Sequence, residues 1–253
     1  MVSDSIVIIP TYNEKENIEN ILRRVFSFEK EFHILIVDDG SPDGTADIVK
    51  ILQTEFAGKL FIIERKNKLG LGTAYIAGFH WSIDKKYDFI YEMDADFSHP
   101  PYDLINLYDA CKNQGYGVAV GSRYVKGISV VNWPLGRILM SYYASMYVRT
   151  VLGMQVKDTT AGFVCYKREV LENIGIDEIR MKGYGFQIEM KYRSIIFGYK
   201  IKEVPIIFTD RTEGNSKMSG GIFSEAFWGV LKLRFNAGKI KRKTAKVNKT
   251  PAA

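Results

Sequence analysis

A mostly parallel α/β fold, Rossmann-like, with a central sheet flanked by helices, is what this sequence predicts. Three observations lead there. The first 125 residues alternate short apolar runs with amphipathic stretches, the pattern of right-handed βαβ units. Each apolar run ends in polar or turn-forming residues, and sheets of this kind bind ligands beyond the carboxyl ends of their strands. The 253 residues are enough for one large domain or two small ones, with the apolar content of a soluble protein that has a substantial core.

The first strand is expected over Ser5–Ile9, with Pro10 stopping it. Thr11 or Asn13 offers a cap for a helix over Lys15–Phe28, where Ile18, Ile21, Leu22 and Val25 recur at helical spacing. Capping accounts for the Thr and the Asn but leaves Tyr12 and Glu14 to face the crevice. The second strand, His33–Val37, runs into Asp38-Asp39-Gly40-Ser41-Pro42-Asp43-Gly44-Thr45. Turn chemistry explains much of this stretch, and Asp43 or Thr45 can cap a helix over Thr45–Phe56. Two adjacent Asp residues at a sheet mouth ask for more. One of them points inward, which is costly unless it is hydrogen-bonded, and a carboxylate there can accept hydrogen bonds from a base or ribose.

A third strand, Leu60–Glu64, precedes Gly70-Leu71-Gly72 and a helix over Leu71–Ile83. Glycines before a helix N-terminus let backbone approach a ligand, but they serve equally as a tight turn. The fourth strand, Phe89–Glu92, leads into Asp94-Ala95-Asp96-Phe97-Ser98-His99-Pro100. Carboxylates at i and i+2 on a turn can hold one hard divalent cation through oxygen, or can simply be solvated. A helix over Tyr102–Asn113 and a fifth strand, Gly117–Gly121, follow. Arg123 then stands at the sheet mouth, where a diphosphate could lie.

Past residue 126 the alternation fails. Gly127–Trp133 reads as a loop, Pro134–Leu152 as an amphipathic helix with Arg137 and Arg149 near its ends, and Gly162–Tyr166 as a strand. A helix over Phe186–Phe197 carries Gln187 and Glu189, and Ile201–Pro205 is a strand. The polar stretch 208–218 has the composition of a mobile loop and carries Arg211, Ser216 and Lys217. The last helix, Ile222–Asn236, shows Phe223, Phe227, Val230 and Leu231 on one face. The late helices suit either core packing or an interfacial surface seated in a lipid monolayer.

Net charge is +6, with Lys239, Lys241, Arg242, Lys243, Lys246 and Lys249 crowded at the C-terminal end. That end reads as a disordered solvated tail or as a polybasic segment drawn to anionic lipid. No nucleic-acid reader accompanies it. Cys111 and Cys165 fall in no paired or metal-ligand spacing, so a reducing, cytoplasmic compartment is expected. The reading expects no signal peptide. It also expects no membrane span, since Ile138–Val148 falls short of the ~18 apolar residues a span needs.

The ordered set Pro10-Thr11-Tyr12-Asn13-Glu14, Val37-Asp38-Asp39-Gly40-Ser41, Gly70-Leu71-Gly72, Asp94-Ala95-Asp96 and Gly121-Ser122-Arg123 resembles the family-2 glycosyltransferases of the GT-A fold. Asp158-Thr159-Thr160-Ala161-Gly162-Phe163 and Asp210-Arg211-Thr212-Glu213-Gly214-Asn215-Ser216-Lys217-Met218 look like dolichyl-phosphate or polyprenyl-phosphate mannose synthases, most of all the bacterial polyprenol type. The resemblance implies transfer of mannose from GDP-mannose to a polyprenyl monophosphate, with inversion to a β-linked product. By the same analogy Pro10, Tyr12, Glu14, Asp39, Gly72 and Asp94 bind the nucleotide. Asp94 and Asp96 carry Mg²⁺ or Mn²⁺, with Ser98 ligating through its hydroxyl or through water. Arg123, Arg137, Arg211, Ser216 and Lys217 gather phosphate charge, with Asp96, Arg123, Arg211 and Lys217 closest to the chemistry. Asp158, Gln187 and Glu189 position the sugar.

The implied organisation is one catalytic domain over 1–237. Residues 1–125 are its nucleotide-binding half and 126–237 its acceptor half, with C-terminal amphipathic interfacial helices; 238–253 is a disordered tail. A protein of this kind works peripherally at the cytoplasmic face of a membrane, by its interfacial helices, its basic tail or a separate membrane partner. The alternatives are another donor such as UDP-glucose, or a non-catalytic nucleotide-sugar-binding protein.

Overall fold

The computed structural model describes residues 3–210 and 221–247, and side chains outside 221–226 and 241–247. Nine strands and eight α-helices occur among them: β1 Ser5–Thr11, α1 Ile18–Phe26, β2 His33–Asp38, α2 Thr45–Glu55, β3 Leu60–Glu64, α3 Leu71–Asp84, β4 Phe89–Glu92, α4 Asp103–Lys112, β5 Val118–Ser122, β6 Val130–Val131, α5 Leu135–Leu152, β7 Val164–Lys167, α6 Arg168–Asn173, α7 Tyr184–Ile196, β8 Ile201–Pro205, β9 Phe208–Thr209 and α8 Gly221–Val247.

Seven strands form the central sheet in the order β3-β2-β1-β4-β7-β5-β8. All neighbours are parallel except β7, which runs antiparallel to both β4 and β5. The sheet is mostly parallel, as expected, with one reversed strand. Its reversed strand comes from the second half of the chain. Because β7 runs backwards, its beginning lies at the same edge of the sheet as the carboxyl ends of its neighbours. Residues 158–163 are delivered there.

The strands bury both faces. Val7, Ile9, Ile34 and Ile36 face one side with α1, α2 and α4. Ile6, Ile8, Leu35 and Val37 face the other with α3, α6 and α7. This is the period-two alternation of a strand covered on both sides. A third cluster joins Val148 and Leu152 of α5, Ile188 and Tyr192 of α7, and Val230 and Leu233 of α8. Its apolar stripes fasten the C-terminal helix to the body.

Four local expectations change. Pro10 does not end β1, since Pro10 pairs with Val37 and Thr11 with Asp38. Pairing with β4 stops at Ile8, so Pro10 has a neighbour on one side only, the setting in which a strand tolerates proline. Neither Thr11 nor Asn13 caps α1, which begins at Ile18. Gly127–Trp133 is not wholly a loop, because β6 within it pairs with β9 as a small parallel sheet. The last helix runs on to Val247 rather than stopping at Asn236, so 238–247 continue α8. Residues 248–253 lie outside the described ones.

Candidate active site

The strand ends of the first half are tied together by side chains accepting backbone and hydroxyl protons. Asp38 is buried, and its carboxylate accepts from Thr11 Oγ1 at 2.7 Å, Ser41 N at 2.8 Å and Ser41 Oγ at 2.6 Å. It is the inward-pointing member of the Asp pair, and these bonds satisfy it. Asp43 accepts from Thr45 N at 3.0 Å and from Lys15 N at 3.1 Å. The N-cap of α2 is Gly44 and not Asp43 or Thr45, but the Asp43 carboxylate holds the start of the helix and 13–15 on the same loop. Asn13 adopts φ 58° there, a conformation Asn tolerates better than most residues. Tyr12 carries Lys68 Nζ 4.5 Å over its ring. Glu14 accepts from Asn17 Nδ2 at 3.4 Å.

Asp39 lies under a cation that the motif did not single out. Arg65 forms a nearly buried ion pair with it, and Leu69 N donates to it at 3.2 Å. Gly70, φ 100°, needs to be glycine for its backbone. Gly72 has a different reason. A Cβ there would sit 2.8 Å from Cδ2 of Phe186 on α7. Helix packing by itself requires a glycine there.

Beyond β4, Asp94 is partly exposed and Asp96 buried. Tyr75 Oη donates to Asp94 Oδ1 at 3.5 Å. Burial, helped by Asp94, holds the Tyr75 phenol well above its ordinary pKa, so it stays a donor. His99 Nδ1 accepts from Asp94 N at 3.1 Å, which leaves Nε2 to carry the proton of a neutral ring, 3.9 Å from Asp94 Oδ2. Ser98 donates its backbone N–H to Asp96 Oδ1 at 3.1 Å, so its part in the turn is an amide contact. Between them Phe97 sits at φ 60°, a strained setting for an aromatic residue. No group of three or more His, Cys, Asp or Glu side chains gathers as a metal cluster among the described residues. Two carboxylates with hard oxygens on one turn still fit Mg²⁺ or Mn²⁺ whose remaining ligands are water and substrate phosphate.

The second half brings arginines to the same edge. Arg123 forks onto Asp158, Nε to Oδ2 at 2.7 Å and Nη2 to Oδ1 at 2.6 Å, with Nη2 also 2.9 Å from Thr160 Oγ1. Burial alone would raise the Asp158 pKa; the Arg123 charge and hydrogen bonds outweigh it and leave it lowered. The guanidinium also lies 5.4 Å from the Trp133 ring centre and 5.6 Å from that of Phe208. Arg137 stacks 4.1 Å over Trp133 and donates to Asp210 Oδ2 at 2.9 Å. The β6–β9 pairing carries Phe208 and Asp210 to this place. His99 meets Phe208 edge-on at 5.7 Å and stacks on Phe163 at 5.1 Å. The carboxylate turn and the arginines therefore share one aromatic wall. Arg211, Ser216 and Lys217 lie outside the described residues.

Beside Arg123 and Arg137 opens a cavity of about 420 Å³ between α5, α7 and α8. Its lining passes from Arg123, Trp133, Arg137 and Thr160 to Ala144, Val148, Ile188, Phe227 and Val230. Tyr147, stacked on Phe227 at 4.8 Å, closes the apolar end. Along α5 the span from Arg137 to Val148 is about 16 Å.

The three residues assigned to sugar positioning are engaged inside the protein. Asp158 is taken by Arg123. Gln187 donates to Glu92 Oε2 at 2.6 Å. Glu189 accepts from Arg193 Nε at 3.0 Å and from the amides of Arg180 and Met181. Their polar atoms are satisfied within the protein, where they brace the site's framework. The framework includes two groups the sequence reading passed over. Glu92 is fully buried, and burial pushes its pKa up to about 8. Lys191, also buried and pushed down to about 8 by burial, donates to Ala161 O at 2.6 Å and reaches Gln187 Oε1 at 3.3 Å. The i, i+4 spacing of Gln187 and Lys191 puts both on one face of α7.

A mixed sheet with paired carboxylates and braced arginines at one edge defines the class: an α/β protein of the GT-A kind. Solved structures bear out the fold. A mannosyltransferase from Pyrobaculum calidifontis in complex with GDP-Man and Mn²⁺ superposes with TM-score 0.57 at 15% identity, covering 97% of this chain and 74% of that one. Glucosyl-3-phosphoglycerate synthase from Mycobacterium tuberculosis, in complex with Mn²⁺, UDP and phosphoglyceric acid, superposes with TM-score 0.63 at 18% identity, covering 92% and 78%. The chain belongs to glycosyl transferase family 2, whose model matches residues 6–175. A polyprenol monophosphomannose synthase of Mycolicibacterium smegmatis is 46% identical over 231 residues, 89% of this chain and 87% of that one. An undecaprenyl-phosphate mannosyltransferase of Micrococcus luteus is 44% identical over 227 residues, 90% and 92%.

Proposed function

We propose that this protein transfers mannose from GDP-mannose to the phosphate of a polyprenyl monophosphate, with inversion. The observation that carries the reading is the cavity whose polar end holds Arg123 and Arg137 and whose other end is apolar. A lipid phosphate has that polarity, and about 420 Å³ takes a phosphate and the first part of an isoprenoid chain. The 46% and 44% identical relatives named for polyprenol and undecaprenyl-phosphate mannose transfer support the acceptor class.

The acceptor phosphate is already an anion, so the reaction needs no strong general base. One phosphate oxygen forms a bond to the anomeric carbon as the bond from that carbon to the diphosphate oxygen breaks, and GDP leaves. Asp94 and Asp96 would hold a divalent cation, which supplies charge to stabilise the departing diphosphate. Arg123 and Arg137 orient and partly neutralise phosphate; Arg suits this because its planar fork matches phosphate oxygens. Asp158 and Thr160 fix the Arg123 fork before substrate arrives, so little reorganisation remains. Trp133 and Phe208 shield the guanidinium from water. Arg211, Ser216 and Lys217 are assigned to the same phosphates by analogy.

No helix among the described residues is long and apolar enough to cross a membrane. We take the protein to reach its lipid from the cytoplasmic surface, through exposed Leu135, Leu139, Tyr143, Trp228 and Phe235 on α5 and α8. The test is incubation with labelled GDP-mannose, Mn²⁺ or Mg²⁺ and a polyprenyl phosphate, then lipid extraction. Label is expected in the organic phase. Label transferred only from a UDP-sugar, or none from either donor, overturns the reading.

A further inference from the structure

A second cavity, of about 300 Å³, lies on the other side of α5 from the one just described. Arg149, Lys157, Tyr124, Tyr142, Ile128 and Met146 line it. We propose that it binds the phosphodiester headgroup of an anionic glycerophospholipid, and so seats the acceptor cavity at the bilayer surface. This rests on the reading of the acceptor as a membrane lipid.

The charges of the two cavities differ. Arg123 and Arg137 are each paired with a carboxylate. Arg149 and Lys157 have no ion pair among the described residues, and no carboxylate lines their cavity. Arg149 Nε is buried with no hydrogen-bond partner among them. A buried donor left in that state is stabilised by an acceptor, and an anionic one gives the stronger bond. Lys157 Nζ donates to Val125 O at 3.1 Å, and Glu203 holds the Lys157 backbone N–H at 2.8 Å, so the second cation is anchored beside the first.

The rim matches the rest of a lipid. Ile128, Tyr142 and Met146 are 53%, 41% and 45% exposed. Leu135, Leu139, Tyr142 and Met146 recur at i, i+4, i+7 and i+11, one helical face, and Arg149 continues that line. A stripe of exposed apolar side chains ending at two cations with no carboxylate partner among the described residues is the pattern of a helix lying in the headgroup plane. Tyrosine rings are at home at that depth. Tyr124, which lines this cavity, donates Oη to Ser141 Oγ at 2.7 Å, and Ser141 lines the acceptor cavity. A headgroup held here would sit one side chain away from the acceptor.

The experiment is flotation with phosphatidylcholine vesicles, with and without phosphatidylglycerol. It compares the wild type, Arg149→Gln/Lys157→Gln, and the equal-charge control Lys85→Gln/Lys86→Gln. The wild type is expected to prefer the anionic vesicles. The site variant should lose that preference by on the order of 20-fold, about fivefold for each cation near the surface, and the control by no more than about twofold. Mannosyl transfer to a short isoprenyl phosphate in detergent should stay within about twofold of wild type in the site variant. A site variant that partitions like the control overturns the proposal. Flotation does not depend on turnover. Failure to make lipid-linked mannose with the expected partitioning would therefore defeat the transferase reading and leave the headgroup site standing.

Discussion

The carboxylate crevice of the first half and the arginine cavity of the second are built by opposite means. In the crevice, polar side chains sit where strands end, and short-range bonds to backbone N–H groups hold them; Asp38, Asp43 and Asp96 all accept from amides within three residues. Around the cavity the contacts that hold the cations in place are mostly long-range. Arg123 meets Asp158, Arg137 meets Asp210, and Lys191 meets Ala161. Local loops hold carboxylates at the sheet mouth, with Asp94 partly exposed. A long-range pair holds Arg123 in a buried setting where an unpaired charge would be intolerable, and another holds the half-buried Arg137. Changes in the crevice should therefore alter chemistry while sparing the fold, and changes in the cavity should do both.

The sharpest test of that contrast is Asp96→Asn. Turnover should fall on the order of 10²–10³-fold, with the unfolding midpoint shifted by no more than a degree or two by calorimetry; a large loss of stability would break the contrast. Arg123→Ala comes next. It leaves Asp158 buried without its partner, so about 3–5 kcal/mol of stability should go in denaturant titration. Arg137→Ala, at a pair 26% exposed on each side, should cost under ~1 kcal/mol while still weakening acceptor binding. Equal destabilisation by the two would sink the distinction between them. Ala144→Phe fills the apolar end of the cavity. It should raise KM for a long-chain acceptor about tenfold and leave GDP affinity unchanged by calorimetric titration; an unchanged KM would remove the chain from this cavity.

The smallest effect lies away from both regions. Burial lowers the pKa of His33 below its ordinary 6.5, and its Nδ1 is 2.6 Å from Tyr87 Oη. The unfolded chain takes up the proton more readily. Its contribution to stability is thus complete above pH 6.5 and is lost as pH falls through the folded-state value. Thermal melts between pH 7 and 5 should show a decline of less than about 1 kcal/mol from this group, flattened in His33→Gln.

What was legible in the sequence follows the same division. The strands and helices of the first 125 residues were placed within a few residues, because each carries its own periodicity and ends in turn chemistry. Asp94 and Asp96 could be picked out because two carboxylates on a turn are conspicuous beside apolar neighbours. Trp133, Thr160, Arg65 and Lys191 could not. Each matters through a partner far along the chain, and nothing local marks a lysine that will be buried. Glu189 is ambiguous for the converse reason, since an acidic residue on a helix reads alike whether it faces substrate or accepts from the amides of Arg180 and Met181. The antiparallel β7 was hidden because a four-residue apolar strand carries no sign of its direction.

That reversed strand bears on how the protein is made. β7 lies between β4 and β5, yet leaves the ribosome after both. Until Val164–Lys167 emerge, β4 presents Phe89, Ile90 and Tyr91 along an open edge, and β5 has no neighbour through which to join the sheet. Such an edge is a template for wrong pairing. The first 125 residues are thus not a unit in assembly. A nascent chain released before residue 167 should be held by chaperones or aggregate, and splitting the protein between residues 125 and 126 should give two fragments that are soluble only when produced together.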